Sequence, residues 1–227
     1  MRKFLFTIII QALIVSCQSN EKINATDYAG FSEKVIALVG IDTNYDQKDT
    51  IGVLRIMIPN RLDTFYQWQD RSDCANCGYS KYRFSDKHYP QYAESGFFYT
   101  IQPDSTYQFN IWHKPFRETP DSTNLKPITN ELMERYSYHN AELTSFDTGS
   151  VNYKIKEFRI VNDRSFLITA FSSKNSYLTW KPAFLVVATT FLKSRELKFV
   201  AECSAKDTAG FIKNMYKSML SIQIQEK

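Results

Sequence analysis

The chain predicts an α+β fold, a mainly antiparallel sheet packed with helices and closed by a C-terminal amphipathic helix. Three observations carry that expectation. The last third holds four successive strand patterns, over residues 151–161, 166–172, 183–191 and 196–203, separated by short turn-forming segments. After them Phe211, Ile212, Met215, Tyr216, Met219 and Leu220 fall on one stripe at helical spacing, with Lys213, Asn214, Lys217 and Ser218 opposite. Aromatic residues make up 15% of the chain against only seven glycines, which suits half-buried sheet surfaces better than glycine-loop nucleotide sites.

The first seventeen residues are the first element. Arg2 and Lys3 precede an apolar run over 4–15, broken only by Thr7 and Gln11, that leads into Ile14-Val15-Ser16-Cys17. The run is too short to cross a bilayer, which takes about 20 apolar residues. Its basic start, apolar middle and small residue before the cysteine have the layout of a secretory signal. Residues 14–17 resemble a bacterial lipobox, in which aliphatic and small residues precede the modified cysteine. The resemblance implies a signal peptide over 1–16, lipidation at Cys17, and a lipidated N-terminus and tether over 17–26. It further implies a cell-envelope lipoprotein held to the membrane through several acyl chains. Gln18 stands where an aspartate would favour the inner membrane, so the outer membrane is the expected address.

Removal of residues 1–16 leaves 211 of the 227 residues, ample for a core. With 43% hydrophobic and 23% charged residues the mature chain reads as globular, and as a single α+β domain over 27–227, because only the short segment 114–126 resembles a linker. Net charge falls from +4 to +2 once Arg2 and Lys3 are gone, and no basic cluster offers a surface for nucleic acid.

Along this domain, Thr26 or Asp27 caps a predicted helix carrying Phe31, Val35, Ile36 and Leu38. Residues 51–59 read as a strand apolar on both faces, and 65–68 and 79–84 as two more. Segments 97–102 and 106–113 flank a turn at 103–105. Thr129 or Asn130 caps a helix with Leu132, Met133, Tyr136 and Leu143 at helical spacing. In the last strand Leu197, Phe199, Ala201 and Cys203 alternate with Lys198, Val200 and Glu202, so Cys203 is expected in the core opposite a mixed face. Asp207 or Thr208 is the expected N-cap of the final helix.

The run from 183 to 222, with Phe184-Leu185-Val186-Val187-Ala188, then Phe199-Val200-Ala201-Glu202, Phe211-Ile212 and Met219-Leu220-Ser221-Ile222, resembles the C-terminal end of PsbP-type domains. Ile56-Met57-Ile58-Pro59 resembles their early strand ending in proline. The resemblance implies a sandwich of antiparallel sheet with helices on its two sides, and a non-enzymatic, assembly-type role. Residues 63–113, with the cysteine loop, have no counterpart in it.

Cys74-Ala75-Asn76-Cys77 is the constellation most able to carry chemistry. Two thiols at this spacing form a disulfide bracing a surface turn, a redox couple, or half of a tetrahedral zinc site. A redox couple of the thioredoxin kind needs a helix at the first cysteine, whereas Cys77 is followed by an extended pattern. Zinc needs two further donors, for which Asp73, His88 and Cys203 are the candidates. Cys203 is also the alternative disulfide partner. His88, His113 and His139 are singletons, of which His88 and His113 read as surface histidines, and Asp63 with Asp70, or Glu131 with Glu134, read as turn and helix-face charges. No nucleophile elbow or phosphate loop is present, so no catalytic residue, metal or cofactor is assigned. The aromatic series Tyr79, Tyr82, Phe84, Tyr89, Tyr92, Tyr107, Phe109, Trp112 and Phe116 reads as core cover or as a platform for a glycan or envelope protein; exposure of Trp68, Trp112 and Trp180 decides between them. The expected function is a non-catalytic binding or accessory domain on a lipid anchor, the alternative a thiol-redox or metal-binding lipoprotein that uses Cys74 and Cys77.

Overall fold

A computed structural model describes residues 25–41, 48–70, 79–88, 106–115, 134, 137–138, 140–141, 145, 148–176, 182–192, 195–204 and 210–227. Ten strands among them form two antiparallel sheets: β1 (Phe31–Ile41), β2 (Lys48–Pro59), β3 (Thr64–Asp70), β4 (Tyr79–Ser85), β5 (Tyr107–Pro115), β6 (Asn152–Val161), β7 (Arg164–Ser173), β8 (Ala183–Leu192), β9 (Arg195–Ser204) and β10 (Gln223–Glu226). The small sheet has the order β1-β2-β10, the large one β3-β4-β5-β9-β8-β7-β6.

This corrects the expected class. The described residues are mostly antiparallel strand in two sheets, not one sheet packed with helices. The error begins with Phe31, Val35, Ile36 and Leu38, expected on a helix, which lie in β1 and pair with β2 in a register from Phe31↔Pro59 to Ile41↔Lys48. The physical reason lies in Val35, Ile36, Val39 and Ile41, whose β-branched side chains lose rotamer freedom in a helix and pack well on a pleated surface. A period of two then holds: Ile36 and Leu38 are buried while Val35 is 55% exposed. Ahead of β1, Gly30 at φ 82 turns the chain out of a short 3-10 helix, Ala25–Tyr28, a conformation glycine adopts without a side-chain clash.

Phe211–Leu220 forms the expected C-terminal helix. Its N-cap is Gly210 in the left-handed region, with no side-chain capping bond, in place of Asp207 or Thr208, which lie outside the described residues. Of the helix expected from Thr129 or Asn130, the described residues Glu134, Ser137, Tyr138, Asn140 and Ala141 are helical.

One apolar core lies between the two sheets and the C-terminal helix. Leu38 of β1, Leu54, Ile56 and Ile58 of β2, and Phe211, Met215 and Met219 of the helix meet Phe109, Ile111, Phe166, Phe199 and Cys203 of the large sheet. The other side of β2 is less covered than its sequence implied, since Arg55 is exposed and Val53 and Met57 are only half-buried. The small sheet is tied down by β4: the Tyr82 hydroxyl donates to Ala37 O at 2.8 Å and Ser80 Oγ to Val39 O at 3.2 Å. These bonds satisfy backbone groups on the edge strand β1 that no neighbouring strand reaches. A second, smaller core of Ala141, Phe171, Ala183, Leu185, Val187 and Val200 covers the opposite face of the large sheet, with Trp112 and Tyr153 packed against it. The β6–β7 hairpin closes through Asn162 and Asp163 at φ 47 and 64, the two positive values that a two-residue type I′ turn requires.

Candidate functional site

On its outer face the large sheet carries a second kind of layer beside the smaller core. Alternation puts Lys81 and Arg83 of β4, Gln108, Asn110 and Trp112 of β5, and Lys198, Val200 and Glu202 of β9 on one side. Register sets them in rows across the strands: Lys81 opposite Trp112 and Trp112 opposite Lys198; Arg83 opposite Asn110; Gln108 opposite Glu202. This polarity at every second residue reads as a solvent face, and β9 was expected to be mixed there. The structure buries it: Lys81 is 6% exposed, and Arg83, Gln108, Asn110, Lys198 and Glu202 are all at or below 2%. Lysine, arginine and glutamate are almost never this buried unless paired.

Contacts within the layer link its groups. Arg83 Nε donates to Asn110 Oδ1 at 2.9 Å. Ser176 Oγ donates to Glu202 Oε1. The Lys81 ammonium lies 4.6 Å from the centre of the Trp112 ring, and Lys198 Nζ lies 3.1 Å from Glu196 Oε1. Burial, and then the neighbouring Arg83 guanidinium, hold the Lys81 ammonium well below the ordinary lysine range, while Glu202 pulls it the other way. Burial pushes the Glu202 carboxyl up to about 7, against the hydrogen bond from Ser176, the neighbouring Gln108 amide and the charges of Arg83 and Lys81. Groups displaced in opposite directions by burial and by each other mark a candidate site, though buried ion networks do the same.

The histidines and carboxylates singled out in the sequence fall elsewhere. His88 is exposed on the turn after β4, its Nδ1 2.8 Å from Asp86 Oδ1, where Asp86 also accepts from Arg61 Nε at 2.6 Å. Burial raises the Asp86 carboxyl, but the hydrogen bonds from Arg61 and His88 and the charge of Arg61 outweigh it, so it sits below its ordinary value. His113, expected at the surface, is fully buried between the sheets and stacks on Tyr82 with ring centres 6.3 Å apart. Its position on β5 shares the parity of Phe109 and Ile111, which is the core face. Asp63 pairs with Lys87 at 3.5 Å and Glu134 with Lys156 at 2.6 Å, both near the surface.

Cys203 is fully buried in the apolar core between the sheets, the inward direction expected of it. Among the described residues no group of three His, Cys, Asp or Glu side chains is placed to hold a metal ion. Cys17, Asp73, Cys74, Cys77, His139 and Trp180 lie outside the described residues, as do the side chains of Trp68 and Asp70. Tyr82, Phe84, Tyr107 and Phe109 of the aromatic series are core residues, and Trp112 is half-buried against the smaller core.

No family model matches the chain, and neither does any curated protein. Among solved structures the chain is similar to the cyanobacterial PsbP protein (CyanoP) of Synechocystis sp. PCC 6803 in solution. The TM-score is 0.45 and the identity 8%, over 89% of this chain and 97% of that one.

Proposed function

We propose that the protein is a lipid-anchored cell-envelope lipoprotein whose folded part is a non-catalytic binding or accessory domain. The observation that carries this reading is the N-terminal segment, with its basic start, apolar run and Ile14-Val15-Ser16-Cys17, placed eight residues before Ala25, where the first described element starts. So short a tether keeps the domain at the membrane surface. Among the described residues no helix is long and apolar enough to cross a membrane, so the lipid at Cys17 is the attachment this reading uses. The buried polar layer around Glu202 supports binding: its charged groups are oriented from three adjacent strands, and rigid strands position a site better than loops do.

The anchor is tested by labelling cells with a radioactive fatty acid and fractionating them. The natural chain is expected to carry label and to sediment with the outer membrane, and Cys17→Ala to lose the label and appear in the soluble fraction. An unlabelled chain, or a Cys17→Ala variant that still sediments with membranes, would refute it.

A further inference from the structure

We infer that the outer face of the small sheet, centred on Val35 and continued by Lys213 and Lys217 of the C-terminal helix, is the surface that lies against the phospholipid bilayer. The orientation rests on the lipid anchor proposed above and follows from where the tether joins the domain. The 3-10 helix Ala25–Tyr28 is held against the C-terminal helix. The Tyr28 hydroxyl donates to Lys217 O at 3.3 Å, and Lys217 Nζ donates to Asp27 O. The same ammonium lies 5.2 Å from the centre of the Tyr28 ring and 5.5 Å from that of Phe31, within reach of a cation–π contact. Phe31 shares its side of β1 with Glu33, Val35 and Ala37, so the entry of the tether is pinned to one end of that face.

Reach excludes the opposite side. Cys17 stands eight residues before Ala25, at most about 29 Å of fully extended chain. A domain of about 200 residues is about 40 Å across. A lipid at Cys17 therefore cannot sit beneath the outer face of the large sheet while Ala25 stays latched on the far side.

The chemistry of the face suits the headgroup region. Val35 is a large apolar side chain left 55% exposed, and Ala37 beyond it is exposed too. Register places Val35 opposite Arg55, Ala37 opposite Val53 and Glu33 opposite Met57, and Val53 and Met57 are half-buried. On the other side of β2, Gln223 lies opposite Arg55 and Gln225 opposite Val53, both exposed and uncharged. The Glu33 carboxylate on this face is met by Arg55 at 3.5 Å. Lys213, exposed, and Lys217, half-buried, line the helix side. Aliphatic side chains at the centre can settle at the acyl boundary while long basic side chains at the margin reach lipid phosphates.

The test uses the full-length lipidated protein in vesicles of phosphatidylethanolamine and phosphatidylglycerol, with acylation at Cys17 confirmed by mass. Val35 and Tyr138 are equally exposed, at 55%. Tyr138 adjoins Ser137, whose carbonyl accepts from the Tyr153 hydroxyl on the outer side of the large sheet. Each is replaced in turn by a photoreactive benzophenone amino acid, and lipid adducts are measured after illumination. Position 35 should give about tenfold more lipid adduct than position 138, which the tether holds away from the bilayer. Should the variant at Val35 fail to fold by circular dichroism, the same replacement at Ala37 gives the readout.

Equal adduct at the two positions, or an excess at 138, on a chain that carries its lipid overturns the orientation and leaves the anchor standing. Cross-linking of position 35 to a second copy of the chain in place of lipid also overturns it. A chain without lipid at Cys17 overturns both.

Discussion

Glu202→Gln tests the buried layer through its pH dependence. In the folded chain the Glu202 carboxyl is raised to about 7 from an ordinary value of 4.5, chiefly by burial. Between those values the folded state holds a proton that the unfolded state has lost. Its contribution to stability is therefore fully present below about pH 4.5 and disappears as pH rises through about 7. A displacement from 4.5 to about 7, at about 1.4 kcal/mol per pH unit, amounts to roughly 3 kcal/mol, most of it between pH 5 and 8. Lys81, lowered by burial and by Arg83, titrates with the opposite slope, stability rising with pH up to its unfolded value of 10.5. Urea unfolding of the natural chain and of Glu202→Gln, followed by tryptophan fluorescence at pH 5, 6, 7 and 8, separates the two. The difference between the curves holds the Glu202 contribution and its coupling to Lys81 and Arg83. The natural chain should lose about 2–3 kcal/mol relative to the variant across that range. Parallel stability profiles from pH 5 to pH 8 would refute the burial of an ionisable Glu202.

Three further outcomes follow from single contacts and motifs. Tyr82→Phe removes the donor to Ala37 O and the acceptor near Val39 N, leaving β1 backbone groups unmet; a loss of about 1–3 kcal/mol in chemical unfolding is expected. Gly52→Ala places a Cβ 2.7 Å from Gln225 O, so β10 must move off β2. Amide exchange across Gln223–Glu226 should accelerate and stability fall by about 1–3 kcal/mol, whereas unchanged protection at Gln225 and Glu226 would contradict the close approach. Alkylation with and without reductant, read by mass spectrometry on protein taken from membranes, should find Cys74 and Cys77 oxidised as a metal-free pair and Cys203 unreactive until the chain is unfolded. Free or metal-loaded Cys74 and Cys77 would instead favour the thiol-active reading.

Much of the strand content was legible because it rests on local pattern. Alternation and turn chemistry locate β7, β8 and β9 to within two residues, and Asn162-Asp163 mark the turn between β6 and β7 before any contact is known. The apolar stripe of 211–220 likewise specifies a helix with one buried face. β1 was lost because Phe31, Val35 and Leu38 satisfy a helical spacing while Ile36 and Leu38 fit a strand period, and pairing with β2 is a long-range fact absent from the segment. Strand β10 is only four residues long and takes its identity from β2 alone. His113 was misplaced for a related reason. A polar side chain near a strand end looks solvated until the small sheet is laid over it.

Local chemistry therefore determined the strands of the C-terminal half, the C-terminal helix and the inward direction of Cys203, and the proposed lipid anchor at Cys17 rests on local chemistry alone. The candidate site belongs to the tertiary structure. Lys81, Arg83, Gln108, Asn110, Lys198 and Glu202 alternate with apolar residues as the wet side of any antiparallel strand does. The period of two decides which side chains share a face. Whether that face meets water or a further layer depends on segments far away in the chain, and only their packing turns an ordinary polar stripe into a buried cluster of displaced charges.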